Sequence, residues 1–356
     1  MIPKHLGQHL VLPAAAVYGV FLLCVPQAAA KGFTEGLVLC TESLLPALFP
    51  FFVVSSLILH APGNEFLAKP LAPLTRQCGI QCRQAPMILL LSWVGGYAVC
   101  ARLIGDALNQ KTLSHRQAQI LLILGCCSSP GFVIGSVGGL MLGNVRLGVL
   151  LYFLQLAANL LSAAVLWGML HSASANSGTC ERKANTEHSL SLPKAISDAV
   201  DSCLSVCGCV LFFRVGASVI STLFSEKPAL FAIVCGVLEI TSGCDTFAQL
   251  GGATALYGIC CCLSGLGASV YAQIRYLGGK DLPVRVFFLS RLCNAVFLCA
   301  GVRLCTLVLP GTAPVFTSLS QRVIVTSRLS WDTVIVLFAF LFSALYKLHR
   351  KNYNCK

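Results

Sequence analysis

Charge is what this sequence has least of. Only 11% of its 356 residues are Asp, Glu, Lys or Arg, where soluble domains average about 25%. That leaves too little polar surface to cover a water-soluble fold, which excludes a soluble enzyme, a disordered chain and a DNA-binding module. Catalytic constellations are missing as well. There is no nucleophile triad, no phosphate loop and no HExxH pair, so enzyme activity is not expected. A long basic stripe is also absent, although the net charge is +12, from 25 Lys and Arg against 13 Asp and Glu. The basic residues stand singly in short loops and at the C-terminus, at Lys347, Arg350, Lys351 and Lys356. Such placement anchors the cytoplasmic ends of spans and argues against a nucleic-acid partner.

What is abundant is apolar: 56% of the chain is hydrophobic, with a mean hydropathy of +0.80. The apolar residues come in blocks of about 20, long enough to cross a bilayer as helix. The blocks are continuous rather than alternating, which rules out a membrane β-barrel. The expected fold is therefore all-α, a polytopic transmembrane protein in contact with the lipid bilayer. About ten spans are expected, at 9–29, 44–60, 86–108, 116–142, 147–170, 203–224, 228–249, 252–277, 284–309 and 329–347. With both ends cytoplasmic, the inner segments hold 13 Lys and Arg against 9 outside, the sign that positive-inside anchoring requires. The first block, Lys4 followed by an apolar run to Val25 and Ala28-Ala29-Ala30, also reads as a signal peptide; retention as the first span is the expectation.

Twenty cysteines suggest a disulfide framework until they are placed. Most lie inside apolar blocks, among them Cys126-Cys127 and Cys260-Cys261-Cys262, where a thiol acts as a small hydrophobe. Cys78-x3-Cys82 has no second pair, so no metal site is expected, and nothing implies a cofactor.

A Ser-, Asn- and Thr-rich linker at 171–193 divides the chain, and the two sides echo each other. Phe51-Phe52 pairs with Phe212-Phe213, and Leu91-Ser92 with Gly96 pairs with Leu238-Glu239 with Gly243. Cys126-Cys127 and Asn159 recur as Cys261-Cys262 and Asn294, at one shared offset of 135 residues. The expected domains are an N-terminal span at 1–31, a first repeat at 32–170, the linker, a second repeat at 194–309, and a C-terminal span with a basic tail at 310–356. Duplicated membrane halves point first to a transporter whose site lies between them.

Four places should break the helices: Pro46 and Pro50, Gly95-Gly96-Tyr97, Ser128-Ser129-Pro130-Gly131, and Ser264-Gly265-Leu266-Gly267. Inside hydrocarbon a broken helix survives only where protein or a water-filled cavity satisfies its backbone. Matched breaks in two halves mark a candidate solute site, with freed N–H groups aimed at an anionic or polar group; close packing through small residues is the alternative. Arg214 and Glu239 fall mid-span, and Asp245 and Arg291 nearer span ends. A central charge costs about 2.5–3.5 kcal/mol on insertion scales, so it needs a partner or a role. Arg214 and Glu239 either pair with one another or serve a solute, Arg214 drawing an anion and Glu239 binding a cation, a proton or a donor group. Arg102 and Asp106 should pair locally, and His115-Arg116 should open a helix after Ser114.

The motifs SLLPALFPFFVVSSLIL, SWVGGYAVCARLIGDAL, LGCCSSPGFVIGSVG, GVLEITSGC, LSGLGASVYAQIRYL and FFLSRLCNAV, in that order over residues 33–305, resemble the sporulation integral membrane protein YlbJ family. That resemblance implies two gate-domain-like repeats of the nucleoside-recognition type and a role in late sporulation and spore cortex formation. It also implies passage of a small metabolite, dipicolinate or a nucleoside, across a forespore membrane. Glu239, Gly243, Ser264, Gly265, Gln273 and Arg291 stand where the resemblance implies the family's polar positions; with Gly96, Tyr97, Ser128 and Ser129 from the helix breaks and Arg214 from its mid-span charge, they are the candidate solute-binding residues. The chain departs from the family pattern at Ala98, at Cys126-Cys127 where the family has two Asn, and at Tyr271 where it has His. Two thiols in place of two amides remove strong donors and acceptors. Two further readings stand beside transport: a scaffold for spore-envelope assembly, as a homo-oligomer or with sporulation membrane partners, and a sensor that binds nucleosides without flux.

Overall fold

The computed structural model describes residues 4–61, 65–80, 82–168, 191–222, 227–280 and 282–308, and every regular element among them is helical. The polar linker up to residue 190, the expected span at 329–347 and the basic tail lie outside the described residues.

Helix α1 (Lys4–Cys24) meets α2 (Pro26–Leu39) at a bend of 103°. Proline disfavours helical geometry in the residue before it, and Val25 accordingly sits at φ −130°, ψ 60°. A π-helical turn, Cys40–Leu44, then leads into α3 (Leu45–His60). Pro46 and Pro50 do not break this helix as expected. Pro46 lies in the first turn of α3, where no N–H is required, and the wide π turn immediately ahead gives its ring room. Pro50 is carried inside the helix.

Short helices α4 (Glu65–Ala68) and α5 (Ala72–Gln77) lead to α6 (Ala85–Asn109). This helix doubles back at Gly96, whose φ of 81° and ψ of −170° no helix contains. Ser92 and Cys100 would both lie 3.1 Å from a Cβ placed on Gly125. A straight helix would hold residues eight apart about 12 Å from each other. Residues 85–95 and 97–109 are thus the arms of a hairpin. Helix α7 (His115–Gly125) opens on a capping box, with the Gln117 N–H donating to Ser114 Oγ and the Ser114 N–H to Gln117 Oε1. After the non-helical stretch Cys126–Ser129 the chain enters a π-helix, Gly131–Met141, and returns along α8 (Val145–Val165).

The described chain resumes in a second set of helices. Helix α9 (Leu192–Ser221) is followed by α10 (Pro228–Leu238) and α11 (Ile240–Leu250), which fold back on one another at Glu239 so that Gly236 touches Gly243. Helices α12 (Gly252–Gly265) and α13 (Gly267–Leu277) are separated by Leu266, left-handed at φ 67°, and α14 (Arg285–Val308) closes the described chain.

Two antiparallel pairs join the halves. Along α2 and α9, Gly32 faces Ser218, Gly36 faces Arg214, and Cys40 faces Cys207. Along α8 and α14, Leu154 meets Gly301, while Asn159 meets Asn294. The exterior is apolar where Leu23, Leu140, Phe153, Val237 and Leu304 are exposed, as bilayer contact requires. Among the described residues five helical stretches are long and apolar enough to cross a membrane, or six with the bent pair, although one of the five, Ala85–Asn109, is broken at Gly96; the apolar blocks of the whole sequence suggested ten crossings. Two of the expected spans, 86–108 and 228–249, are hairpins, and the block at 116–142 is interrupted at Cys126–Ser129.

Candidate functional site

In each half a hairpin tip presses on a helix break. A Cβ on Gly96 would come 2.9 Å from the Ser129 nitrogen and 3.4 Å from the Cys127 carbonyl. The carbonyls that end the first arm are bonded from the break and its neighbours. The Cys127 thiol lies 4.0 Å and 3.9 Å from the Ser92 and Trp93 oxygens, and the Tyr152 hydroxyl donates to Trp93 at 2.8 Å. In the second half a Cβ on Gly267 would come 3.0 Å from the Gly236 carbonyl and 3.3 Å from the Glu239 nitrogen. Only glycine permits either approach, and both positions have positive φ.

Between the breaks lies a buried polar cluster. Arg291 on α14 is 2% exposed and has no carboxylate partner among the described residues. It donates instead to the Ile123 and Cys126 carbonyls at 3.4 and 3.0 Å and to Asn159 Oδ1 at 2.9 Å, with its guanidinium 4.9 Å from the Phe287 ring centroid. Those carbonyls end α7, so the cation meets the negative pole of a helix dipole supplied by the other half of the chain. Asn159 Nδ2 donates to the Leu124 and Cys126 carbonyls, which fixes Oδ1 as acceptor for both Arg291 and Asn294 Nδ2, the latter at 2.9 Å. Gln155 on α8 reaches the opposite break, donating to Leu263 at 3.2 Å. Each half therefore braces the helix break of the other.

Several polar atoms in the spans are buried without partners among the described residues: Ser128 Oγ, Ser264 Oγ, Gln155 Oε1, Gln273 Oε1, Asn294 Oδ1 and the Tyr271 hydroxyl. An unpaired buried polar group costs about 1–3 kcal/mol, so the cluster calls for water or a polar solute.

At the second tip, Glu239 is 1% exposed and caps α11, with Oε1 accepting from the Thr241 N–H at 2.9 Å and Oε2 from the Ser242 N–H and hydroxyl at 2.6 and 2.8 Å. The direct pair expected with Arg214 does not form. Arg214 Nη1 donates to Ser242 Oγ, and Nη2 donates to Glu35 on α2 at 3.1 Å. The hairpin geometry explains the difference. Glu239 folds onto its own helix start, so the serine one turn on is what α9 can reach.

The structure brings Gly96, Tyr97, Ser128 and Ser129 to the first tip and break, and Glu239, Gly243, Ser264 and Gly265 to the second. Tyr97 follows Gly96 directly, at the start of the second arm of that hairpin. Ser129 Oγ accepts from the Phe132 N–H at 3.4 Å, and Gly243 serves to close the hairpin arms. Gln273 donates to Ser269 Oγ within α13. Arg214 stands apart on the α2 side. Arg102 lies 3.9 Å from Asp106, as expected, and 4.0 Å from Asp198; Asp245 accepts from Gln249. A cavity of about 380 Å³ at the α1–α2 bend, lined by Cys24, Pro26 and Thr222 among others, is remote from these residues. Gln155, Ser242 and Glu35 are members that the sequence did not single out, and Asn159 and Asn294 stood out only as an echo at one offset. The signal of Gln155 and Ser242 is polarity within apolar blocks.

No protein-family model matches the chain, and no solved structure matches it. The chain is similar to the sporulation integral membrane protein YlbJ of Bacillus subtilis (strain 168), 25% identical over 320 residues, with 78% of each chain covered. That relative bears out, at modest identity, the resemblance read from the motifs.

Proposed function

We propose that the protein is a carrier rather than an enzyme, and that it passes a small polar or anionic metabolite such as dipicolinate or a nucleoside across a membrane during sporulation. The observation that carries this reading is the pairing of two hairpin tips with two helix breaks around a buried polar cluster. Non-helical backbone at membrane depth is tolerated only where it is buried in protein or lines a water-filled cavity, and the unpartnered polar atoms beside these breaks favour the cavity. Sporulation enters from the relative's name, and the forespore membrane is the natural place for such a step.

On this reading the halves are inverted, gate-like repeats. A hairpin returns to the side it left, so each half keeps three crossing elements, an odd number, and the second half begins on the opposite face. The antiparallel α2–α9 and α8–α14 pairs are what that symmetry requires. The solute sits between Ser128 and Ser129 on one side and Ser264 and Gly265 on the other. Arg291 offsets its charge, Tyr97 and Gln273 contribute polar contacts, and Glu239 couples or gates.

The test is uptake of labelled dipicolinate and of a labelled nucleoside into proteoliposomes of the full chain. Saturable uptake that falls at least about tenfold in Glu239→Gln is expected, because the amide keeps a capping oxygen while losing the charge. Absence of uptake of both by folded protein would favour the scaffold reading instead.

A further inference from the structure

Arg214 sits where three elements meet. Its stem passes Gly36 of α2, with Cβ and Cγ 3.4 and 3.5 Å from the position a Cβ there would take. The guanidinium divides between two anchors. One is Ser242 Oγ, whose hydroxyl donates a hydrogen bond to Glu239 Oε2 at 2.8 Å; the other is Glu35 Oε2 at 3.1 Å. The side chain of Glu35 is 41% exposed and that of Arg214 is 19% exposed, whereas Glu239 is 1% exposed. Lys31, 3.9 Å from the other Glu35 oxygen, offsets part of that carboxylate's charge. The cation thus stands on the boundary between a wet carboxylate and a buried one.

We propose that Arg214 is a clamp on the second hairpin, shared between Glu35 and the Ser242–Glu239 tip, with Glu35 as the positioning residue that takes the guanidinium when the tip moves. The role of the motion rests on the carrier reading above; the clamp itself does not. A guanidinium divided between a carboxylate and a serine hydroxyl that is itself bonded to a buried carboxylate is held more tightly on the serine side when the competing carboxylate is neutralised. Glu35→Gln keeps an acceptor for Nη2 and removes the competing charge, so it should fasten the tip. Ser242→Ala removes the link and should free it. A purely structural role predicts loosening in both.

Hydrogen exchange of the peptide covering 236–250, measured on the full chain in proteoliposomes, reads opening of this hairpin in either direction. Exchange should slow about threefold in Glu35→Gln and quicken about fivefold in Ser242→Ala, with exchange of the α8 peptide at 145–165 unchanged in both. Faster exchange in Glu35→Gln, or no change in either variant, overturns the clamp. If the exchange pattern appears without uptake, the clamp stands and the carrier reading fails; uptake with a flat exchange pattern fails the clamp alone.

Discussion

Arg291 illustrates how far single residues could be read. A lone arginine in an apolar block announces a partner, but its partner here is no side-chain charge. It is the carbonyl end of α7, more than 160 residues earlier in the chain. Hydrogen bonds from a charged donor contribute about 1.5–3 kcal/mol each when buried, and removing the donor leaves the carbonyls and Asn159 short of bonds. Arg291→Gln should therefore destabilise the protein by about 3 kcal/mol, read as a drop of about 6–10 °C in the apparent melting temperature of the detergent-purified protein. Arg291→Lys should fall between the two, because an ammonium cannot span three acceptors laid out for a planar fork. A melting temperature unchanged in Arg291→Gln would show the network to be incidental. Asn159 and Asn294 were visible in sequence as an echo at one offset, yet their direct bond was not, since an offset carries no information about where two halves cross.

At the scale of elements, the positions of the breaks were legible and their consequences were not. Glycine, serine and proline inside apolar runs located Gly96, Cys126–Ser129 and Leu266–Gly267 correctly, because only such residues release a backbone in hydrocarbon. Whether the chain then crosses or turns back depends on a few dihedrals. Hydrophobicity is the same on both arms of α6 as on a straight span, so residues 86–108 read as one crossing. The echo of Gly96 in Gly243 was also one turn out: the structure sets the tips at Gly96 and Glu239. Pro46 and Pro50 failed as breakers, the π turn before them having given the first ring its room. Two glycines separate the tip from the periphery. Gly96→Ala requires a β-carbon 2.9 Å from the Ser129 nitrogen at φ 81° and should abolish uptake and lower stability, whereas Gly208→Ala on α9 opens onto empty space and should change either measurement less than twofold. Equal sensitivity of the two would mean that the tip does not need its close approach.

For the whole molecule, the hairpins change a parity. Ten continuous crossings would give each half four and stack the halves as parallel repeats, in which equivalent helices point the same way. Doubling back at Gly96 and Glu239 removes one crossing from each half, and the observed antiparallel α2–α9 and α8–α14 pairs agree with three. The consequence is a sidedness that an impermeant maleimide can read. Cys78, before the first hairpin, and a cysteine introduced as Lys111→Cys, after it, should be labelled from the same face of sealed proteoliposomes, with peptide mass spectrometry separating them from the other native thiols. Residue 111 is exposed and Cys78 partly so, which leaves both within reach. Labelling from opposite faces would restore the straight span and with it the parallel halves. The inverted pairing of the breaks proposed above would then have no basis.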